Sequence, residues 1–517
     1  MRRAFRHFIT AAVGSVVLAL LAACATATPS ATSAPSSASY DIVIVNGRIV
    51  DGTGAAWFHG DLGIVGDRIA AVTRAGGRAN ARARDRVDVT GLVVAPGFID
   101  IQGQSTYEFL IGDGRVLGKI MQGVTTEILG EGETPAPMSA RAMEQLDSRD
   151  TLGMRLALRY RGPHAFGDWL RDMQAHGMSA NAGSFVGAGT LRMFGMGQSQ
   201  GPATPAALDS MRAAAARAMR DGGVPVEIFH LKAGGVRNWP KGALAIARID
   251  SARARGLDIQ ADMYPYPAGG TGLSACLPPW ASADGKLFEN LANPAVRARI
   301  RAEIEHQTFA WESLCDLATS DGVLITELKH PSLAKYGGQR LGAIAKAMGT
   351  DWIETAMDLI VTEHTRVETL FFLMSEENVR LNLRQPWIKI GTDASGLDPD
   401  SATGLAHPRS YGTYPRILGR YVRDERVLTL EEAIRKFTSA VATRMNITDR
   451  GLLRPGMFAD VTVFDPATIA ERATFEKPHQ LSVGVRHVLV NGVAVLRDSR
   501  HTGAKPGRAL RSASWAP

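Results

Sequence analysis

The sequence predicts an α/β protein in which a βα barrel is combined with a small β-sandwich built from both termini. Alternating apolar and polar residues near each end of the chain predict short antiparallel strands. Between them, short apolar runs alternate with helical stretches, the pattern of a βα barrel. The chain has 517 residues, of which 45% are hydrophobic and 21% charged. This length is sufficient for one large and one small domain.

Residues 1–23 are predicted to be a signal peptide. A basic start, "MRRAFRH", precedes an apolar run, "FITAAVGSVVLALLAA", that is too short to span a bilayer comfortably. The run ends in Leu21-Ala22-Ala23-Cys24, which resembles the bacterial lipobox, whose cysteine becomes the lipidated N-terminus. A plain signal peptide with an incidental cysteine is the alternative.

Residues 24–39 are predicted to be a lipidated tether, since they are rich in Ser, Ala, Pro and Thr and offer nothing to bury. No Asp follows Cys24, and by resemblance to other lipoproteins this favours the outer membrane. We therefore expect an exported lipoprotein that faces the periplasm and contacts the membrane only through its N-terminal lipid.

The β-sandwich is predicted from residues 40–94 and 445–517. The segment "YDIVIVNGRIVDGTG" alternates in polarity and is interrupted at Asn46-Gly47 and Asp51-Gly52, and "DLGIVGDRIAAV" does the same around Gly66-Asp67, which predicts hairpins. The segments "GLLRPGMFADVTVFD" and "VRHVLVNGVAVL" repeat the pattern near the other end, with a turn at Asn491-Gly492. Residues 95–444 between them form the predicted barrel.

The chemistry of a βα barrel lies at the carboxyl ends of its strands. Polar side chains follow four apolar runs: Glu131 after "TTEIL", His230 and Lys232 after "VPVEIF", Tyr264 after "LDIQA" and Asp393 after "WIKI". His230 and Lys232 lie on one face of their strand, because residues i and i+2 do. Together these residues predict a site that binds a divalent metal and activates water. For Asp393, a structural role in capping the turn "DASGLDPD" is the alternative.

Two further features limit the classes of function. The formal net charge is +7, but no basic stripe is interleaved with aromatic residues, so no nucleic-acid partner is predicted. Beyond the signal segment only Cys276 and Cys315 remain. Two thiols do not make a disulfide framework, and we expect both to pack in the core.

Several motifs together resemble those of the amidohydrolase superfamily, and more narrowly its N-acyl-D-amino-acid deacylase (D-aminoacylase) branch. They are "DIVIVNGRIVDGTG", "APGFID", "GVTTE", "HLKAGG", "DMYPY", "GTDA" and "RGLLRPGMFADVTVFDP". The similarity covers roughly residues 40–508. It implies a (β/α)₈ barrel, a small β-sandwich, a tightly held zinc ion, and cleavage of a linear amide in a small N-acylated amino acid.

The resemblance also implies roles for individual residues. Glu131 and His230 correspond to metal ligands, and a carboxylate is a sound zinc ligand. Asp393 corresponds to the catalytic aspartate that takes a proton from the attacking water and passes it to the leaving amine. Lys232 and Tyr264 correspond to residues that hold the substrate carboxylate and polarise the scissile carbonyl.

The chain departs from the family pattern in two places. The first-strand His-X-His is replaced by Gln102 and Gln104, and a His-X-Arg strand end is absent, because "MRAAAARAMRDGG" leads directly into "VPVEIFHLK". We therefore predict an incomplete barrel and one zinc ion at most. Its remaining candidate ligands are Glu131, His230 and Asp393.

Three functions remain open at this stage. The main prediction is a zinc-dependent hydrolase of carbon–nitrogen bonds other than peptide bonds. The second is an impaired or inactive homologue that acts as a binding lipoprotein, and the third is a structural lipoprotein whose pocket is incidental. The polar residues retained at the strand ends favour the hydrolase and the binding lipoprotein over the structural lipoprotein. The missing histidines favour the binding lipoprotein over the hydrolase.

Overall fold

The computed structural model describes residues 39–78, 80–143, 151–162, 164–197, 199, 201–220, 227–306 and 311–511. The predicted signal peptide and nearly all of the tether lie outside these residues. Among the helices within them, none is long and apolar enough to cross a membrane.

The strands are β1 Tyr40–Ile49, β2 Phe58–Val65, β3 Arg68–Arg74, β4 Ala83–Asp88, β5 Val93–Pro96, β6 Phe98–Asp100, β7 Val124–Leu129, β8 Asn181–Ser184, β9 Ala261–Met263, β10 Ala268–Gly272, β11 Val323–Ile325, β12 Glu368–Phe372, β13 Ile388–Ile390, β14 Val461–Phe464, β15 Val485–Val490, β16 Val493–Arg497 and β17 Arg500–His501. The α-helices are α1 Thr106–Leu110, α2 Leu117–Ile120, α3 Ala140–Met143, α4 Thr151–Arg159, α5 Ala165–His176, α6 Ala188–Met196, α7 Pro205–Arg220, α8 Lys241–Ala254, α9 Leu287–Ala292, α10 Pro294–Glu305, α11 Leu314–Ala318, α12 Leu341–Met348, α13 Trp352–Glu363, α14 Glu376–Leu383, α15 Arg409–Arg416, α16 Leu430–Phe437 and α17 Ser439–Arg444.

Strands from both ends of the chain form one nine-stranded sheet, in the order β17-β16-β15-β14-β5-β1-β2-β3, with β4 alongside β1. The two ends meet where β5 pairs parallel with β1 and antiparallel with β14. Apolar residues of β1, β2 and β14 form the core beneath this sheet. The composite sheet agrees with the predicted fold class, and the domain boundaries at residues 94 and 444 stay predictions.

The hairpin predicted at Asn46-Gly47 is wrong. β1 continues through both residues, and its register with β2 shifts between Ile44 and Gly47, which is a β-bulge. Asn46 has a φ of +62°, a conformation that Asn tolerates better than most residues. A side chain at Gly47 would place its Cβ 2.5 Å from Val94 Cγ2. The pair therefore bends a strand and lets β5 approach closely.

Parallel strands build the barrel region. β6, β7 and β8 form one parallel sheet, and β9 and β13 form another. A parallel bridge between Gly103 and Ala394 joins the two sheets beyond the ends of β6 and β13, and a second joins Ile228 to Ala261 next to β9. The carboxyl ends of these segments consequently lie at one face of the barrel region.

The segment before "HLK" is described only in part. Within the described residues, the chain from α7 to β9 contains no strand, so the prediction that His230 and Lys232 lie on one face of a strand is wrong. This segment contacts β9 through the bridge between Ile228 and Ala261 and through the Leu231 N–H, which donates to the Asp262 carbonyl oxygen. Residues 221–226 are not among those described. The incompleteness of the barrel stays a prediction.

A second hydrophobic core, not foreseen from the sequence, lies between β9 and β13 along the chain. β10, β12 and β11 form an antiparallel sheet, which packs with α9 to α13 around apolar residues separate from the barrel core. Cys276 and Cys315 lie in this core, and they form a disulfide rather than two thiols. The expected core packing of both cysteines is confirmed, but their pairing was not foreseen, because it depends on a fold that brings together residues 39 positions apart.

Candidate active site

Glu131, His230 and Asp393 come together at the carboxyl face of the barrel. Each offers a ligand atom, and these atoms lie within 4.8 Å of one another. His230 Nε2 lies 2.6 Å from Glu131 Oε1. Glu131 follows β7 and Asp393 follows β13, so parallel strands deliver both carboxylates to the same edge.

An unusual backbone conformation orients the side chains of His230 and Asp393. His230 has a φ of +37° and Asp393 a φ of +50°, a region that residues other than glycine rarely adopt and that clusters at functional sites. Hydrogen bonds hold both positions. The His230 N–H donates to Asp262 Oδ1 at 2.7 Å, and the Asp393 N–H donates to the Gln102 carbonyl oxygen at 2.8 Å.

Gln102 and Gln104 act as hydrogen-bond donors to Glu131. Gln102 Nε2 lies 2.6 Å and Gln104 Nε2 2.9 Å from Glu131 Oε2, and Gln104 Nε2 also lies 3.3 Å from Asp393 Oδ1. Gly103 between them leaves no room for a side chain, since a Cβ would lie 2.5 Å from Glu127 Oε2. The glutamines orient the acidic pair but are poor ligands for a metal.

The two carboxylates have opposite pKa shifts. Burial alone would raise the pKa of Glu131, but hydrogen bonds and charge from His230, with Gln102, lower it to about 2. Burial raises the pKa of Asp393, Arg409 lowers it and Glu131 raises it again, with a net increase. Glu131 is therefore suited to bind a cation, and Asp393 to accept and return a proton.

Cationic and aromatic groups complete the site. Lys232 Nζ lies 5.1 Å from the centre of the Tyr264 ring, and the Arg409 guanidinium lies 4.5 Å from it. Burial lowers the pKa of Lys232 to about 8, against the influence of Asp393. The Tyr264 hydroxyl is buried and makes no hydrogen bond of normal geometry. The structure thus places all five predicted site residues, Glu131, His230, Lys232, Tyr264 and Asp393, around one centre.

Sequence reasoning missed Arg409. Its Nη1 lies 2.7 Å from Asp393 Oδ2, and its side chain is only 8% exposed. Arg409 begins α15 and follows no strand, so inspection of strand ends could not find it. The signal available was an arginine in the turn-rich stretch "TGLAHPRSYG" shortly after the predicted base.

A buried cluster of charged residues, Lys119, Asp100 and Glu127, lies next to the site. Lys119 Nζ lies 2.6 Å from Asp100 Oδ2, 2.6 Å from Thr392 Oγ1 and 3.1 Å from Glu127 Oε2. Asp100 Oδ1 in turn accepts hydrogen bonds from the backbone N–H groups of Thr392 and Gln102. The cluster therefore ties together the strand ends that carry Gln102 and Asp393.

The donor set fits one divalent metal ion. The carboxylate of Glu131 and the imidazole of His230, with the Asp393 carboxylate within 4.8 Å of both, are the ligand types of a catalytic zinc site. The neighbouring amides of Gln102 and Gln104 are already engaged with Glu131. No second cluster of three such groups was found among the described residues.

Comparisons with known proteins give matches over most of the chain. A model of the amidohydrolase family matches residues 142–496. A D-aminoacylase of Alcaligenes xylosoxydans xylosoxydans is 32% identical, over 91% of this chain and 97% of its own. An N-acyl-D-glutamate deacylase of the same organism is 30% identical, over 91% and 96%.

Solved structures give the same result. A D-aminoacylase with a binuclear metal centre superposes with a TM-score of 0.73 at 28% identity, covering 92% of this chain and all of its own. An N-acyl-D-glutamate deacylase of Bordetella bronchiseptica, complexed with zinc and a phosphonate inhibitor, gives 0.70 at 27% with the same coverage. The chain belongs to the amidohydrolase family, in its D-aminoacylase branch.

Proposed function

We propose that the protein is a metal-dependent deacylase of small N-acyl-D-amino acids. The observation that carries this proposal is the convergence of Glu131, His230 and Asp393 beside the cations Lys232 and Arg409. The relatives named above act on N-acyl-D-amino acids, and an N-acyl-D-aspartate deacylase is 30% identical over 92% of this chain. Glu131 and His230, with Asp393 close by, would hold at most one zinc ion, which supplies Lewis acidity when bound.

Each remaining residue has a role that its position allows. Asp393 accepts a proton from the attacking water and returns it to the amine as the amide bond breaks. Lys232 and Arg409 bind the substrate carboxylate, because both cations lie beside the same tyrosine ring. The Tyr264 hydroxyl donates a hydrogen bond to the scissile carbonyl oxygen, where negative charge develops.

A binding lipoprotein without turnover is the second candidate function. It is favoured by Gln102 and Gln104, which hold Glu131 through amide donors where the family has histidines. Such a protein would retain the carboxylate-binding cations and bind N-acyl amino acids without releasing the free amino acid.

Lys232→Met tests the deacylase proposal and the place of the carboxylate together. In the zinc-supplemented protein we expect release of free amino acid from N-acetyl-D-amino acids. Loss of the ammonium should raise KM for these acids by about tenfold or more, the effect of losing a charge-assisted hydrogen bond. The neutral amides of the same compounds should be little affected. Lys346→Met, at an exposed position of α12, is the matched control.

Equal losses for acids and amides would contradict the carboxylate role of Lys232. Binding of the acids without any release of amino acid would favour the binding lipoprotein.

We also propose that the protein is exported and anchored to the outer membrane by a lipid on Cys24. The lipobox-like Leu21-Ala22-Ala23-Cys24 and the tether support this proposal, as does the disulfide Cys276–Cys315, since structural disulfides persist in oxidising compartments. Cys24→Ser should shift the protein from the membrane fraction to uncleaved or released forms. Identical fractionation of both proteins as soluble periplasmic material would contradict lipidation.

A further inference from the structure

Arginine is concentrated in one short segment of the β-sandwich. Residues 74–86, "RAGGRANARARDR", contain five arginines and one acidic residue, which gives this segment a formal net charge of +4. The whole chain carries +7, and removal of residues 1–23 takes away three arginines, which leaves +4 for the mature chain. The segment therefore carries a charge equal to that of the entire mature protein, and the remainder of the mature chain is balanced.

The structure places most of these arginines on one exposed surface. Arg74 ends β3, and Arg84 and Arg86 belong to β4, where exposed and half-buried residues alternate. Because alternate residues of a strand lie on the same side, Arg84 and Arg86 share the exposed side of β4, and the exposed Arg82 directly precedes the strand. We call Arg74, Arg82, Arg84 and Arg86 the basic surface.

The basic surface is only weakly neutralised by acidic side chains. Among its members, within the part of the chain that the structure describes, only Arg84 has an ion pair, at 3.6 Å from Asp41, and its side chain is 77% exposed. Asp85 is paired with Arg497 of β16, and Asp88 lies at the far end of β4. The basic surface consequently retains most of its positive charge.

The chain enters the fold from the predicted tether beside this surface. Tyr40, the first residue of β1, pairs in register with Ala83 of β4, and its N–H donates to the Arg82 carbonyl oxygen at 2.9 Å. The guanidinium of Arg78 lies 5.5 Å from the centre of the Tyr40 ring. Arg82 and Arg84 therefore flank the point at which the chain arrives from Cys24.

The length of the tether keeps this point close to the proposed lipid anchor. Cys24 and Ser39 are separated by 15 positions in the sequence, a distance of about 50 Å even in a fully extended chain. Confinement to such a distance corresponds to a roughly millimolar effective concentration. A weak attraction between the basic surface and the bilayer is then sufficient to keep them in contact.

The chemistry of the basic surface matches that of an anionic phospholipid. The guanidinium group of arginine forms paired hydrogen bonds with phosphate. Each basic residue near an anionic bilayer strengthens binding by roughly fivefold, and the attraction extends over about one Debye length. Four arginines on one side of a strand and its approach are enough to orient the domain.

We propose that the basic surface docks the protein on anionic phospholipid of the membrane that holds its lipid anchor. This proposal rests on the proposed export and lipidation and is independent of the deacylase function. The lipid retains the protein at the membrane, and the arginines determine that the side of the β-sandwich with β4 faces the bilayer.

Vesicle co-sedimentation tests the surface without the lipid, using the chain from residue 24 onward with Cys24→Ser. We expect binding at least tenfold stronger to phosphatidylcholine vesicles that contain about one third phosphatidylglycerol than to phosphatidylcholine alone, and loss of this binding at high salt. A triple variant, Arg82→Gln, Arg84→Gln and Arg86→Gln, should lower affinity for the anionic vesicles about tenfold or more. Hydrolysis of N-acetyl-D-amino acids in solution should be unchanged, which verifies that the variant is folded.

The matched control removes the same charge from exposed positions of α7 and α8 and from the residue after α8, through Arg212→Gln, Arg248→Gln and Arg255→Gln. It should bind anionic vesicles like the parent chain. An equal loss in both triple variants would overturn the proposal, because net charge rather than the basic surface would then be responsible.

Two other results would also overturn the proposal. Equal binding of the parent chain to neutral and anionic vesicles would leave the arginines only the role of protecting an edge strand. Binding to heparin without binding to anionic vesicles would assign the surface to a soluble polyanion. Failure of lipidation shows instead in the fractionation of the exported wild type and Cys24→Ser proteins, so the two failures are distinguishable.

Discussion

Asp393→Asn should lower kcat by about 100-fold or more, the usual effect of removing a general acid–base. Asparagine keeps the size of the side chain and its hydrogen bonding to Gln104, but it cannot accept a proton. The raised pKa of Asp393, caused first by its burial, suits a group that must gain and lose a proton in each cycle. The measurement is steady-state hydrolysis of an N-acetyl-D-amino acid, with zinc content and thermal unfolding followed in parallel.

The control for this variant is Asp398→Asn in the same loop. Asp398 pairs with Arg115 at 2.7 Å and is 18% exposed. Asp398→Asn therefore removes a partly buried ion pair, as Asp393→Asn does, but leaves the candidate active site unchanged. An Asp393→Asn protein that hydrolyses substrate at the rate of Asp398→Asn would contradict the catalytic role. It would favour the alternative in which Asp393 only stabilises its turn.

Lys119→Met should reduce the free energy of unfolding by about 3–5 kcal/mol, the range observed when one partner of a buried ion pair is removed. Lys119, Asp100 and Glu127 are fully buried, so methionine fills the space but leaves the carboxylates uncompensated. Chemical denaturation measures the loss. Lys346→Met on the exposed face of α12 should change stability by less than about 0.5 kcal/mol.

The loss of stability in Lys119→Met should also depend on pH. Burial raises the pKa of Glu127 to about 7, although Lys119 opposes this. Without Lys119, the folded-state pKa of Glu127 rises further above its unfolded value. Stability is then greatest at low pH, where Glu127 is protonated in both states, and falls as pH rises through neutrality. The variant should thus be closer to wild type at pH 5 than at pH 8, and Glu127→Gln in the same protein should restore part of the loss. A loss that is equal at both pH values would contradict this explanation.

The sequence predicts the architecture well because two patterns depend directly on which residues are buried. One is the alternation of apolar and polar residues along a strand, and the other is the alternation of apolar strands with helical stretches. It also indicates Glu131, His230 and Asp393 as neighbours, since each follows an apolar run and the structure brings the three together. Glu131 and Asp393 follow parallel strands, whose carboxyl ends align, whereas His230 follows only the isolated bridge at Ile228. Arg409 and Lys119 could not be found in this way. One begins a helix and the other lies within one, and only tertiary packing brings them to the strand ends.

The second hydrophobic core and its disulfide were also outside the reach of sequence reasoning. The three strands of that core lie far apart along the chain and are only three to five residues long, so periodicity cannot distinguish them from short helical or loop segments. The misassigned turn at Asn46-Gly47 has a related cause. The same dipeptide can form a hairpin or a bulge, and the approach of β5 decides between them.

The most direct test of the account is the zinc content of the purified mature protein, determined by elemental analysis after zinc addition and removal of loosely held metal. We expect no more than one zinc per chain, held by Glu131 and His230 with Asp393 close by, and lost when His230 is replaced by alanine. This result should accompany hydrolysis of N-acetyl-D-amino acids. Two tightly held zinc ions, or none together with no hydrolysis, would contradict the single-metal deacylase.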